Sequence, residues 1–255
     1  MAGEQEVVIV GGGIAGIATA LALQRLGVRS GSDELRTTGA ALGLSPNAWR
    51  ALDALGVAHK LTSIYPLLEG GSVTNLETGE QSVISFGQNG GGTGRGLGTR
   101  AVHRKVLLEA LAEELKPDTV RFSSKLASIR TEVLRDSSSA VVLHLEDGAI
   151  IRTKVLIGCD GVHSVVAQWL GLAAPINSGR SAVRGLSVYP EGHGLKYGAN
   201  QFLSGGKRGG FAPLSDKEIY WFMTNPTTAR EKDMAAEFAR DPSLILAEVI
   251  SSTIP

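Results

Sequence analysis

The chain has 255 residues, which is enough for one large domain, or for one complete domain and part of a second. Its 25 Lys and Arg residues balance its 25 Asp and Glu residues, so we expect no nucleic-acid partner. A single Cys excludes a disulfide framework and a Cys-based zinc site. The uncharged run 7–23 contains regularly spaced glycines and follows two acidic residues, so we predict no targeting segment, no membrane span and a cytoplasmic protein.

The first elements are predicted to be a strand and a helix. The continuous apolar run 7–10 is typical of a strand that is buried on both faces of a parallel sheet. The Ala- and Leu-rich run 14–26 predicts a helix that ends before Gly27. The segment 28–35 should contain a second parallel strand, but it has almost no apolar residues. We interpret this anomaly as the loss of that strand.

The rest of the chain is predicted to alternate between helices and short strands. Helices are expected over 45–55, 102–115 and 164–170, a hairpin over 71–86, a glycine-rich loop over 87–98, a meander of strands over 120–155 and a buried strand over 155–157. Beyond 171, an antiparallel sheet is expected from strands 183–188, 201–203, 211–214 and 219–223, followed by helices 228–240 and 242–251.

The glycine loop between the first strand and helix is the first motif that indicates a ligand. Its sequence, Gly-Gly-Gly-Ile-Ala-Gly over 11–16, contains G-x-G-x-x-G. In this context Gly11 makes the tight turn, Gly13 lets a pyrophosphate approach the backbone, and Gly16 lets the helix pack closely on the strand. Ile14 and Ala15 belong to the helix N-terminus that would face the phosphates. The alternative is a tight strand–helix turn without a ligand.

Two acidic positions could complete a dinucleotide site. Glu34 lies 18 residues after Gly16, close to the spacing expected of a ribose-binding carboxylate. Because the strand that would aim it is missing, a solvated loop charge is the preferred interpretation. Asp160 and Gly161 follow the strand 155–157, so a ligand at the carboxyl ends of parallel strands would meet them. The alternative for Asp160 is a turn leading into a helix that Ser164 caps. Cys159 is interpreted as a small packed residue.

Three stretches carry a family resemblance: 7–27; 100–111, which reads R-A-V-H-R-K-V-L-L-E-A-L; and 154–171, which reads K-V-L-I-G-C-D-G-V-H-S-V-V-A-Q-W-L-G. Together they resemble the FAD-dependent monooxygenases of the para-hydroxybenzoate hydroxylase-like family, and its plant branch in particular. The resemblance extends through 36–56 and 184–221. It implies an α/β fold, with a Rossmann-like FAD-binding domain over 1–70 and 99–172. A smaller antiparallel-sheet substrate domain, incomplete at the C-terminus, is implied over 71–98 and 173–255.

The resemblance also assigns roles to individual residues. Gly11, Gly13 and Gly16 would hold the FAD pyrophosphate, Arg104 would reach the flavin side of FAD, and Asp160 would serve FAD and the NADPH or NADH reductant. Arg36 matches a second FAD-contacting arginine. For Arg104, the alternative is a solvated arginine on the helix surface. Arg208 and Trp221 lie in the sheet expected to floor the pocket of a small-molecule substrate, although sheet packing explains Trp221 equally well. No catalytic triad, metal-ligand spacing or G-x-S-x-G motif is found.

The resemblance implies an oxidoreductase that uses NAD(P)H and O2 to hydroxylate a small organic compound. Two departures from the family pattern are the anomalous segment 28–35 and the lack of the family's later Gly-Asp motif. They leave open a truncated homologue or splice product that at most binds a nucleotide or partner. An NAD-dependent dehydrogenase is a third reading, which explains the glycine loop but not Arg104 together with Asp160.

Overall fold

The structure is a computed structural model that describes residues 3–26, 39–86, 98–121, 123–134, 139–227, 241 and 244. In chain order its elements are β1 (Gly3–Val10), α1 (Ile14–Arg25), β2 (Ala41–Leu44), α2 (Pro46–Ala54), α3 (Ala58–Thr62), β3 (Gly70–Asn75), β4 (Gln81–Ser85), β5 (Arg100–His103), α4 (Arg104–Ala112), β6 (Leu126–Val133), β7 (Ser139–Leu145), β8 (Ile150–Gly158), α5 (Val165–Trp169), β9 (Arg180–Val188), β10 (Gly198–Ser204), β11 (Lys207–Pro213) and β12 (Glu218–Pro226).

The chain separates into two compact units. Unit 1 comprises Met1–Thr38, Arg50–Leu61 and Arg104–Ile176, and unit 2 comprises Gly39–Trp49, Thr62–His103 and Asn177–Pro255. The assignment of cofactor binding to one domain and substrate binding to the other stays a prediction.

Unit 1 is built on a four-stranded sheet in the order β1-β8-β7-β6. β1 runs parallel to β8, while β8 with β7 and β7 with β6 are antiparallel, so the sheet is mixed. Its core includes Val8, Val10, Leu143 and Val166. α1 packs against α4, and Gln24 at the end of α1 donates a hydrogen bond from Nε2 to the Glu114 carbonyl at 2.9 Å. The predicted strand 7–10 and the helix that follows it are therefore confirmed.

Two predictions in unit 1 need correction. The helix expected over 102–115 begins only at Arg104, because Val102 and His103 belong to β5, which pairs with β2. The strand expected to be buried over 155–157 is the end of the longer strand β8, and the Val155 side chain is 48% exposed. An apolar run of this kind is typical of a strand that is buried on both faces. Among the described residues, however, no element packs over all of β8, so part of this strand stays exposed.

Unit 2 contains a six-stranded sheet in the order β4-β3-β10-β11-β12-β9. The expected antiparallel strands are confirmed as β9, β10, β11 and β12, and the expected hairpin as β3 and β4, with Gly79 in its turn at φ +73°. The hairpin joins this sheet through a parallel pairing of β3 with β10, which the sequence pattern did not predict. A separate two-stranded ribbon is formed by β2 and β5.

The segment 28–35, the loop 87–97 and the helices predicted over 228–240 and 242–251 lie outside the described residues, apart from Leu244, which is helical. None of the helices in the described parts of the chain combines the length and the apolar character that crossing a bilayer requires.

Candidate functional site

The glycine loop connects β1 to α1 and packs on the end of β8. Gly11 has a φ of +112°, in the left-handed region that favours glycine. A Cβ at this position would lie 2.3 Å from the Cys159 carbonyl oxygen, so only glycine fits. The Cys159 N–H donates to the Val10 carbonyl at 2.7 Å, which holds the ends of β1 and β8 together. The tight turn predicted at Gly11 is therefore present.

Gly16 allows the first turn of α1 to lie against this loop. A Cβ on Gly16 would be 1.8 Å from the Gly11 carbonyl oxygen and 3.4 Å from the Cys159 Cβ. Real Cβ atoms do not approach a carbonyl oxygen this closely, so a larger residue would push α1 away from the strand. The close helix–strand packing predicted for Gly16 is confirmed.

Gly13 differs from these two glycines because the space beside it is open. A Cβ at Gly13 would have no atom within 4 Å. Gly13 is the N-cap of the twelve-residue helix α1, and no side chain caps this end or places a carboxylate in its first turn. Ile17 donates to the Gly13 carbonyl at 3.0 Å.

The first N–H groups of α1 point to an anionic ligand. Those of Ile14, Ala15 and Gly16 have no acceptor within the described structure, as expected at the start of a helix. Unpaired N–H groups and the positive end of the helix dipole attract phosphate. The open space beside Gly13 and these donors therefore fit the pyrophosphate of a dinucleotide.

Asp160 lies beside this loop, but its carboxylate accepts hydrogen bonds from the first residues of α5. In the register of β1 with β8, Val10 pairs with Gly158, so both strands end at the same edge of the sheet. The Asp160 N atom would lie 2.8 Å from a Cβ on Gly11. Asp160 Oδ1 accepts from Ser164 Oγ at 2.5 Å, and Oδ2 accepts from the backbone N–H groups of residues 165 and 166 at 2.7 and 3.3 Å.

Ser164 completes this arrangement as the N-cap of α5. Its Oγ accepts from the Ala167 N–H at 2.9 Å, which confirms the predicted cap. The turn alternative for Asp160 is thus realised, while the backbone of Asp160 still borders the glycine loop. Gly161 has a φ of +81°, and a Cβ there would have no atom within 4 Å, so the space on the Cβ side of Gly161 is open. A direct contact of Asp160 or Gly161 with cofactor remains a prediction.

The other predicted residues are not brought to the loop by any described contact. Arg104 is the first residue of α4 and is half-buried. Glu34 and Arg36 lie outside the described residues. Among the described residues, no group of three His, Cys, Asp or Glu side chains could hold a metal ion.

Unit 2 contains a cavity of about 860 Å³ on one face of its six-stranded sheet, which we call the sheet groove. Its lining residues come from five strands and their turns: Asn75, Glu77, Arg180, Arg184, Gln201, Leu203, Ser204, Gly205, Gly206, Lys207, Arg208, Tyr220, Phe222 and Thr224. Arg208, which the family resemblance places in the floor of a substrate pocket, lines the sheet groove. Trp221 does not, because its ring covers Gly185, where a Cβ would lie 2.4 Å from the ring.

The sequence did not single out Arg180, Arg184, Tyr220 or Phe222. The pattern that could have identified them is the alternation along β9 and β12, because every second residue of a strand lies on the same face of the sheet. The rings of Tyr220 and Phe222 stack with their centroids 6.3 Å apart and their planes inclined by 26°. Gly210 makes room for Phe222, since a Cβ there would lie 2.7 Å from the Phe222 ring.

The strand, glycine loop and open helix N-terminus of unit 1 define a dinucleotide-binding protein. The family model described as an FAD binding domain matches residues 4–252. The chain therefore belongs to the FAD-binding family of the para-hydroxybenzoate hydroxylase-like monooxygenases, as its motifs indicated.

Curated relatives agree with this assignment. The chain is 41% identical to Monooxygenase 2 of Arabidopsis thaliana over 94% of its length and 58% of the relative's. It is 36% identical to Monooxygenase 1 of the same plant, over 86% of the chain and 54% of the relative. The chain thus spans somewhat more than half the length of these relatives.

Solved structures share the fold. The p-nitrophenol 4-monooxygenase PnpA of Pseudomonas putida matches 94% of this chain and 63% of its own, with a TM-score of 0.74 and 21% identity. Klebsiella pneumoniae HpxO, solved with FAD and uric acid, matches 92% of this chain and 61% of its own, with a TM-score of 0.69 and 22% identity. The expected α/β monooxygenase fold is confirmed.

Proposed function

We propose that this chain binds FAD and a small organic substrate for an NAD(P)H- and O2-dependent monooxygenase reaction that hydroxylates the substrate. The observation that carries this proposal is the open space beside Gly13 at the N-terminus of α1, in a chain of the FAD-binding family. Bound FAD would supply the redox chemistry, because a protein of this kind contributes binding, orientation and shielding to its cofactor.

The residues of unit 1 would hold the dinucleotide through backbone groups. The N–H groups of Ile14, Ala15 and Gly16 would donate to the pyrophosphate, and the missing side chain of Gly13 would let it approach. Gly11 and Gly16 would act indirectly, by fixing the loop against β8 and α1. None of these roles requires a side chain, so the proposed pyrophosphate site needs no polar side chains of its own.

The remaining predicted residues would serve the cofactor outside the loop. Arg104 would neutralise negative charge on the flavin side, and Glu34 and Arg36 would contact the cofactor from the segment after α1. Asp160 would act mainly through position: by holding the start of α5, it would fix the turn at Gly161 next to the glycine loop. NADPH or NADH would serve as the reductant.

The sheet groove would receive the substrate. It combines an aromatic surface with several hydrogen-bonding side chains, the usual composition of a small-molecule site. Its volume of about 860 Å³ falls within the range of such sites, about 300 to 1,000 Å³.

The proposal is tested by loading the purified chain with FAD and mixing it with NADPH or NADH without oxygen. Loss of the oxidised-flavin absorbance is expected, followed by its return and oxygen uptake when air is admitted. Gly13→Val should abolish both signals, because a branched side chain would occupy the pyrophosphate space, while Lys217→Met serves as a folded control. Stable flavin binding without any reduction by either nucleotide would contradict the monooxygenase assignment.

A further inference from the structure

The connection between β9 and β10, residues 189–197, crosses one end of the six-stranded sheet, and we call it the crossing loop. In the sheet order, β11 and β12 lie between β10 and β9, so the crossing loop passes the turn between β11 and β12, residues 214–217. At its start the Tyr189 N–H donates to the Lys217 carbonyl at 2.7 Å. At its end the Tyr197 hydroxyl donates to Asp216 Oδ1. Both ends of the loop are thus tied to this turn.

His193 ties the middle of the crossing loop to the same turn. Its backbone N–H donates to the Asp216 carbonyl at 3.1 Å, and its ring Nε2 lies 2.7 Å from the Ser215 carbonyl oxygen. The other ring nitrogen, Nδ1, lies 3.0 Å from the Leu195 backbone N. The Tyr189 ring meets the imidazole edge-on, with the ring centroids 6.1 Å apart. A single imidazole therefore holds the loop both to the turn and to itself.

Glycines on both sides of His193 make this arrangement possible. Gly192 has a φ of +88° and Gly194 a φ of +65°, both in the left-handed region that favours glycine. The chain turns sharply before and after His193. As a result, the backbone N–H and the ring of the same residue both reach the β11–β12 turn.

The hydrogen-bond partners of His193 determine which ring nitrogen carries the proton. The Leu195 N–H can only donate, so Nδ1 must be the bare, accepting nitrogen. The Ser215 carbonyl can only accept, so Nε2 must carry the proton. The neutral Nε2–H form therefore satisfies both bonds. A second proton, on Nδ1, would place one N–H against another at 3.0 Å and remove the Leu195 hydrogen bond.

The charges around His193 do not compensate for this second proton. The Asp216 carboxylate accepts from the Tyr197 hydroxyl, and Glu218 Oε1, at the start of β12, lies 3.7 Å from His103 Nε2. Among the described residues, no carboxylate forms an ion pair with His193. The charged and titratable side chains of the loop and the turn, in which two carboxylates balance two ammonium groups, are Tyr189, Glu191, Lys196, Tyr197, Asp216 and Lys217.

We propose that His193 is a pH-sensitive latch, which holds the crossing loop on the β11–β12 turn while its imidazole is neutral and releases it when the imidazole is protonated. A solvated imidazole takes up a proton near about pH 6.5. The open loop binds this proton more readily than the closed loop does, so the latch is closed above about pH 7.5 and weakens as the pH falls. The proposal goes beyond the proposed function, because no part of it depends on FAD.

Release of the latch should leave the sheet folded. The pairings of β10 with β11, β11 with β12 and β12 with β9 do not include His193. Tyr197, at the end of the loop, also packs against a buried cluster that includes Leu68 and Leu214. We therefore expect a local opening centred on His193 and not an unfolding of unit 2.

Amide hydrogen exchange, measured by NMR on the full chain between pH 8 and pH 5, tests this proposal. The quantity compared is protection, the exchange rate of an amide relative to the rate in an unfolded peptide at the same pH. Protection of the Leu195 amide should fall about tenfold, the equivalent of about one hydrogen bond. The Leu76 amide, which donates to the Leu203 carbonyl at 2.9 Å in the same unit, should keep its protection. Equal protection of Leu195 at both pH values, or an equal fall at Leu76, would overturn the proposal.

Two variants assign the effect to one imidazole. His193→Asn can place an amide oxygen near the position of Nδ1, where it accepts from the Leu195 N–H but takes up no proton in this pH range. Protection of Leu195 should then no longer depend on pH. His163→Asn removes an exposed imidazole from unit 1 and should keep the pH dependence of the unmodified chain. A pH dependence that survives in His193→Asn contradicts the latch.

Nitrogen-15 spectra of the histidine side chains give a second test that needs no variant. At pH 8 the His193 ring should be entirely in the Nε2–H form, because both of its hydrogen bonds require that form. An Nδ1–H form, or a mixture of the two forms, would show that the ring does not hold the loop as described and would overturn the proposal.

Discussion

Two glycines of the same loop should respond in opposite ways to the same added methyl group. Gly16→Ala places a Cβ 1.8 Å from the Gly11 carbonyl oxygen, so α1 or the loop must move by more than about 1 Å. Overpacking of this kind costs about 1 to 3 kcal/mol. For a chain of this size, that corresponds to a fall in Tm of about 2 to 12 °C.

Gly13→Ala adds its methyl group to open space. The nearest atom would be more than 4 Å away, so the only expected cost to the protein without cofactor is a weaker N-cap, about 1 kcal/mol or less. The methyl group would, however, occupy the space proposed for the pyrophosphate. We therefore expect Gly13→Ala to lower the affinity for FAD at least about tenfold while changing the Tm without FAD by less than Gly16→Ala does.

The assay is thermal unfolding of both variants with and without FAD, together with a flavin titration. Gly209→Ala is the control, because its Cβ would lie an ordinary 3.7 Å from the Phe222 carbonyl oxygen. If Gly13→Ala binds FAD as tightly as the unmodified chain, Gly13 does not border the pyrophosphate. If Gly16→Ala leaves the Tm unchanged, the close packing described for Gly16 does not limit stability.

Three further outcomes follow from individual contacts. Asp160→Ala removes the acceptor of three hydrogen bonds at the start of α5 and should lower the free energy of unfolding by about 1.5 to 3 kcal/mol in urea titrations, with Asp160→Asn milder; no loss would contradict the capping role. The pKa of Tyr197 is raised to about 12. Burial is the largest cause, followed by the hydrogen bond to Asp216 and the negative charge of Asp216. The tyrosine of the unfolded chain loses its proton near pH 10, so the free energy of unfolding should fall as pH rises from about 10 to 12. Urea titrations of Tyr197→Phe over this pH range should show a smaller fall, and an equal fall in both proteins would refute this prediction. Gly185→Ala puts a methyl group 2.4 Å from the Trp221 ring and should lower the Tm and shift tryptophan fluorescence, whereas an unchanged spectrum would place the ring elsewhere.

Local sequence signals predicted the elements around the glycine loop well. β1, the loop and α1 are consecutive in sequence, so apolar runs and glycine spacing are sufficient to identify them. The N-cap Ser164 and the turn glycines Gly79 and Gly161 were equally accessible, because caps and turns depend on neighbouring residues. The glycine loop, Ser164 and Gly161 lie in two of the three stretches that carry the family resemblance.

Long-range features could not be predicted in the same way. The parallel pairing of β3 with β10 joins residues more than 120 positions apart, and no local pattern specifies it. The exposure of Val155 depends on what covers β8, and the partners of the Asp160 carboxylate depend on where α5 begins. In the sheet groove, Arg184 could not be told from an ordinary surface arginine until its position beside Phe222 was known.

The affinities of the purified chain for FAD, FMN and riboflavin test most directly how unit 1 binds its cofactor. The central claim is that the glycine loop and the N-terminus of α1 hold a dinucleotide through its pyrophosphate. We expect FAD to bind at least about a hundredfold more tightly than FMN or riboflavin, and Gly13→Val to remove this preference. Equal binding of FAD and FMN, or a preference for FAD that survives Gly13→Val, would contradict this claim.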